Sequence, residues 1–214
     1  MSSQAATGVG QSVLKDRDPS WAREFEAMME AYEKAGGRPD VLQARRVASA
    51  VVSANEVLAV SEIEGVTIEA EGQEHGVRAR ITVAPGTKVE HPVHLCFGMT
   101  AEEGLQEIDS EFEIGEGAEV GFLAHCTFPN AIKLRHVMDA RIHVGPGATM
   151  RYNEAHYHGP EGGIEVLPTT HAVVDEGGRL EMAFDLTQGR VGRMAIDFEA
   201  DLAARAAAEL LAKA

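Results

Sequence analysis

Hydrophobic positions change their spacing about a quarter of the way along the chain. Trp21, Phe25, Met28, Met29 and Tyr32 fall at i, i+4, i+7, i+8 and i+11, one apolar stripe of a helix. Asp18-Pro19 supplies an N-cap followed by proline at the first helical position, and Gly36-Gly37 ends the segment. Pro39-Asp40 opens a second helical stretch, with Val41, Leu42, Val47, Ala48 and Val51 as its apolar face, fading near Asn55. Residues 16–56 therefore read as a small helical cap, preceded by a disordered segment over residues 1–15.

From Val57 onward the pattern becomes short alternating runs punctuated by glycine, and the runs repeat. Val83-Ala-Pro-Gly-Thr-Lys-Val89, Ile114-Gly-Glu-Gly-Ala-Glu-Val120, Val144-Gly-Pro-Gly-Ala-Thr-Met150 and Val174-Asp-Glu-Gly-Gly-Arg-Leu180 align on Gly86, Gly117, Gly147 and Gly177, which recur at an almost constant interval. Each glycine follows a short alternating strand and precedes another run, closed at Gly98, Pro129, Gly159 or Gly189. No amphipathic helical pattern separates the runs, which excludes a βαβ architecture. A fixed period with a glycine corner predicts a mainly β chain, a parallel β-helix of about 30 residues per rung over residues 57–214. A β-sandwich or a cupin-like barrel is the alternative. The alanine-rich tail predicts a terminal helix over residues 199–213.

Gapless alignment on the glycines places His94, His125, Ala155 and Asp185 in one column, with Cys126 and His156 in the next. Cys96 and His158 lie one and two columns further on. On the third rung Glu154, His156 and His158 alternate and so share a face, as do His94 and Cys96 on the first. His94, Cys96, His125, Cys126, Glu154, His156 and His158 thus form a candidate metal ladder of the donor types that suit iron or zinc. A packed, hydrogen-bonded set of structural residues is the competing reading. The run His156-Tyr-His158-Gly-Pro-Glu161 also invites a cupin comparison, a metal-dependent enzyme using Glu154, His156 and His158. Its spacing to Glu161 is short, however, and no second motif with a late histidine follows. No nucleophile elbow, phosphate-binding loop, dinucleotide fingerprint or CxxC pair is present, so the chain reads as non-enzymatic.

Charge narrows the partners. Nineteen Lys and Arg against thirty-four Asp and Glu leave a net charge of −15, which excludes a basic face for nucleic acid or anionic lipid. Two cysteines make no disulfide framework, and the start of the chain carries no targeting signal, so a reducing, cytoplasmic location is expected.

Four separate stretches then become recognisable. His91-Pro-Val-His-Leu-Cys-Phe-Gly98, Ala124-His-Cys-Thr-Phe-Pro129, Leu134-Arg-His-Val-Met-Asp139 and Tyr152-Asn-Glu-Ala-His-Tyr-His-Gly159 resemble the SufB/SufD family, in its short archaeal-type form, from about Leu58 to Leu202. The resemblance implies a right-handed parallel β-helix acting as a non-catalytic scaffold in iron–sulfur cluster assembly. It also implies a SufC-type ABC ATPase as partner, a SufB/SufD-type partner or a homodimer, and transient contact with iron or an iron–sulfur cluster. Family members continue past the point where this chain stops, through further β-helix and a helical segment. The family's best-attested cluster and ATPase-docking residues lie in that part, so none is carried over to a position here.

Overall fold

A computed structural model describes residues 19–42 and 46–213. The segment expected to be disordered, residues 1–15, lies outside the described residues. Helix α1 (Pro19–Lys34) buries Met28, Met29 and Tyr32, the stripe the sequence predicts. It ends where Gly36 turns to a φ of +91°, while the Gly37 amide donates to the Tyr32 carbonyl at 2.9 Å. Gly37 lies so flat on the Tyr32 ring that a β-carbon there would enter it.

The second helix is much shorter than expected. Among the described residues it is a single turn, α2 (Pro39–Leu42), and Val51 belongs instead to strand β1 (Ser49–Ser53), all of it buried. The β-branched pair Val51-Val52 suits a pleat covered on both faces, and pairing with a later strand settles the conformation. Hairpin strands β2 (Glu56–Ser61), β3 (Val66–Gly72) and β4 (Gly76–Val83) follow. The rungs then run through β5 (Val93–Gly98), β6 (Glu103–Ile114), β7 (Glu119–Phe128), β8 (Lys133–Val144), β9 (Thr149–His158), β10 (Ile164–Val174) and β11 (Arg179–Gln188). Strands β12 (Arg193–Met194), β13 (Asp197–Leu202) and β14 (Ala207–Lys213) complete the described chain. The expected helix over 199–213 is therefore two strands. Backbone groups offered by β10 and β11 capture this segment in parallel register, overriding alanine's helix propensity.

The strands form two facing sheets of a β-solenoid with about five turns. One sheet runs β14-β11-β9-β7-β5-β1-β2, and the other runs β12-β10-β8-β6-β4-β3 with β13 beside β10. Neighbouring rungs pair in parallel, as in Ile114↔Val144↔Val174. Among the described strands only β1–β2 and β3–β4 are antiparallel. Parallel stacking of one rung on the next rules out the sandwich and the cupin-like barrel, both of which are built from antiparallel strands. At the corners Gly117 and Gly147 hold φ at +65° and +62°, and an added β-carbon would meet nothing within 4 Å. Glycine is required there for its backbone conformation and not for space. Corner amides donate to the next rung, Gly117 to Pro146 at 2.9 Å and Gly147 to Glu176 at 3.0 Å.

Between the sheets, inward residues stack into ladders that make one continuous core. Phe112, Phe122 and Tyr152 meet edge-on or tilted at 5.2–6.2 Å. The outward face of the second sheet carries opposite charges on successive rungs, including Arg80–Glu111 and Arg78–Asp109 at 2.7 and 2.9 Å.

Candidate functional site

One feature of the first rung sets the site. Lys88 lies opposite Glu119, whereas Cys96 lies opposite His125, so the offset between partners shrinks by two along this rung. Two extra residues therefore sit between Val89 and Val93, and gapless alignment misplaces His94 and Cys96 by two positions. Cys96, His125 and Ala155 share a column, and Phe97, Cys126 and His156 share the next.

Strand alternation then divides the seven candidate residues between two faces. On β7, Ala124, Cys126 and Phe128 point between the sheets, which sends His125 outward. On β9, Met150 and Tyr152 are in the core, so Glu154, His156 and His158 point inward with them. On β5, Val93, Leu95 and Phe97 face the core, while His94 and Cys96 face helix α1. The structure thus brings Cys126, Glu154, His156 and His158 together inside the solenoid and places His94, Cys96 and His125 on the opposite side of the sheet.

A residue absent from the expected ladder completes the inner group. His136 on β8, in the facing sheet, brings a ring nitrogen to where the donors of Cys126, His136 and His156 all lie within 4.8 Å of one another. Its signal was present in the sequence: along Leu134–Val144 the inward phase runs Leu134, His136, Met138, Ala140, Ile142, Val144, so His136 stands where an apolar residue is expected. His136 is 0% exposed, and neither ring nitrogen has a hydrogen-bond partner. Its ring lies 4.7 Å from that of Phe128 and 5.9 Å from that of His156. Gln106, the neighbour of His136 on the adjacent strand β6 of the same sheet, is also fully buried, with its side-chain carbonyl unpaired.

His156 stands between two partners. Its Nε2 is 2.6 Å from a Glu154 carboxylate oxygen and its Nδ1 is 3.1 Å from His158 Nε2. With Glu154 ionised, the consistent proton order has His156 Nε2–H donating to the carboxylate and His158 Nε2–H donating to His156 Nδ1. The remaining His158 Nδ1 is buried without a partner. A carboxylate that fixes a histidine's tautomer in this way leaves Nδ1 as the nitrogen able to ligate once its contact with His158 is exchanged.

Burial dominates the electrostatics. It holds His136 well below the usual imidazole range, helped by His156 and His158, and pushes His158 down to about 3. These rings are neutral at pH 7, the state that offers a lone pair to a metal. Burial raises the Cys126 thiol well above its ordinary value, with the Glu154 carboxylate adding to the rise, and it raises Tyr152 for the same two reasons. A cation would reverse that balance, since a metal-bound thiol loses its proton. One thiol, several imidazoles and a carboxylate constitute a borderline donor set suited to ferrous iron or zinc. Glu154 and Tyr152 also line a cavity that continues between the sheets past Phe184 and Met182 to Leu210.

The outer group is packed differently. His94 Nδ1 lies 2.9 Å from the Tyr32 hydroxyl, and the His125 ring meets the Tyr32 ring edge-on at 4.6 Å. Burial lowers His94, pushes His125 down to about 4 and pushes Cys96 up to about 12. No described helix is long and apolar enough to cross a membrane.

Two curated archaeal proteins resemble the chain over most of its length. It is 34% identical over 176 residues to an iron-sulfur cluster assembly SufBD family protein of Methanocaldococcus jannaschii, covering 82% of this chain and 56% of the relative. It is 31% identical over 191 residues to a protein of the same description from Pyrococcus horikoshii, covering 89% of this chain and 58% of the relative. No protein-family model and no solved structure matches. The chain thus spans somewhat more than half the length of these relatives. Their likeness runs through the same parallel rungs that carry the four stretches noted in the sequence, and this chain belongs to the SufB/SufD family.

Proposed function

We propose that this chain is a non-catalytic scaffold component of Suf-type iron–sulfur cluster assembly, and that the inner cluster is its contact with iron cargo. Cys126, His136 and His156 are the donors; Glu154 orients His156, and His158 is a further nitrogen within reach. The carrying observation is His136, a fully buried histidine with both nitrogens unpaired beside a thiol and a second imidazole. An unpaired buried polar group costs about 1–3 kcal/mol, a cost that a ligand removes. The family relation supports a cytoplasmic role alongside a SufC-type ABC ATPase and a second SufB/SufD-type chain, or a second copy of this one.

A purely structural interior is the second reading. The Glu154–His156–His158 chain favours it, because it satisfies both nitrogens of His156. It leaves His136 unexplained. Anaerobic titration with Fe2+ separates the two readings: the protein should take up one equivalent, and Cys126→Ser or His136→Leu should each weaken binding at least tenfold. No uptake, or uptake indifferent to both substitutions, would discard the iron-contact role. Co-purification with a SufC-type ATPase tests the partnership, and its absence with the full-length protein would discard that part.

A further inference from the structure

We propose that the outer face of β5 and β7 carries a second soft-metal site, formed by His94, Cys96 and His125, which helix α1 covers by seating Tyr32 in it. The inner cluster is a separate site, and this proposal does not depend on it.

Cys96 lies directly opposite His125 on the adjacent parallel strand, and His94 precedes Cys96 by two residues on the same face. Parallel neighbours are about 4.8 Å apart, so three side chains so arranged can converge on one tetrahedral ion and leave its fourth position to water. In the closed state Tyr32 keeps them from converging. Its hydroxyl holds His94 Nδ1 and its ring fills the space beside His125.

The rest of this contact is apolar: Met28 and Met29 of α1 and Leu42 of α2 pack with Val51 and Leu58 of the rungs. Two imidazoles in such a seat cost free energy that aliphatic residues would not. His125 is 4% exposed and its Nδ1 has no hydrogen-bond partner at all. A nitrogen held in reserve accounts for that orphan.

Polar ties between the cover and the rungs include, besides Tyr32, Trp21 Nε1 to the Leu58 carbonyl at 3.2 Å, and Glu24 to Ser53 and to Thr100. Lifting α1 frees His94 Nδ1 and admits water to Cys96. On binding, the Cys96 thiol gives its proton to solvent and the thiolate takes the metal; each imidazole contributes a lone pair, and no electron is exchanged. His125 and Cys126 are consecutive, so the two sites stand back to back across one strand.

With Cys126→Ser in place, Cys96 is the sole thiol of the chain, because the sequence holds two cysteines. Anaerobic Co2+ titration of that variant reads the outer site through the thiolate-to-cobalt charge-transfer band, which histidine-only sites do not give. Adding Tyr32→Phe keeps the ring but removes the hydroxyl from His94, and should raise Co2+ affinity roughly tenfold. Met28→Ala loosens the cover without touching the donors and should act in the same direction. In both, Co2+ should protect Cys96 from iodoacetamide, located by mass spectrometry, and Cys96→Ala should abolish the band. Absence of the band from both loosened variants, or a band that survives Cys96→Ala, would overturn the proposal. Failure of Cys126-dependent iron uptake would remove the inner site and leave this one standing.

Discussion

Replacing His136 with leucine should stabilise the metal-free protein, an unusual outcome for a core histidine. Each unpaired buried polar group costs about 1–3 kcal/mol, and His136 has two such nitrogens. Leucine has similar volume and no polar atoms, but it forfeits the ring contact with Phe128, worth about 1 kcal/mol. The net expectation is a gain of roughly 1–5 kcal/mol. In a chain of this length each kcal/mol raises the melting temperature by about 2–4 °C. Metal narrows that gain. At a hundred times the wild-type dissociation constant, Fe2+ should stabilise the wild type by about 2.7 kcal/mol and the variant, bound at least tenfold more weakly, by about 1.4 kcal/mol at most. Paired thermal scans under anaerobic conditions, in chelator and in saturating Fe2+, measure both effects. His136→Leu should melt higher than the wild type in chelator, and saturating iron should shrink that lead. A variant that is less stable by more than about 1 kcal/mol in chelator would refute the orphan argument. Equal iron-induced shifts in the two proteins would remove His136 from the ligand set.

Two further outcomes follow from other parts of the solenoid. At the corner, Gly117→Ala should cost only about 1–2 kcal/mol, since the β-carbon meets open space and only the left-handed φ opposes it. Gly163→Ala drives a β-carbon into the Ile132 backbone of the previous rung and should cost well over about 3 kcal/mol or prevent folding; urea midpoints of similar size for the two would contradict this division of labour. Acid should also destabilise the protein early. His125 and His158 titrate near 4 and 3 when folded but near 6.5 when unfolded, so the unfolded chain takes up protons first as pH falls below about 6.5. Stability should decline by up to about 1.4 kcal/mol per pH unit for each histidine, down to about pH 4 for His125 and pH 3 for His158. A urea midpoint that stays flat from pH 7 to pH 5 would mean these rings are not buried neutral.

The rungs were legible because a corner that needs positive φ leaves glycine at a fixed interval, and Gly86, Gly117, Gly147 and Gly177 all hold such a φ. What escaped the sequence was set by partners distant along the chain. The tail from Ala207 to Lys213 has helical composition, yet β11 offers it an unpaired edge and it extends. Val51 fits a helical stripe equally well until β5 pairs beside it. The site was half legible for a related reason. Stacking rungs on their glycines compares positions within one sheet, so it collects Cys126 and His156 but not His136, which reaches the same point from the facing sheet. It also says nothing of which side of the pleat a residue takes, and the candidates His125 and Cys126, adjacent in sequence, lie on opposite sides.

The two-residue enlargement between Val89 and Val93 has a consequence for how such a chain can change length during evolution. An even insertion ahead of a strand carries every side chain to an equivalent place on the pleat, so Val93, Leu95 and Phe97 still enter the core. An odd one would exchange the two faces. It would thrust His94 and Cys96 among the aliphatic ladders and present Leu95 and Phe97 to α1. Insertions and deletions next to strands should therefore survive selection in pairs, while the wider loops opposite the glycine corners absorb either parity.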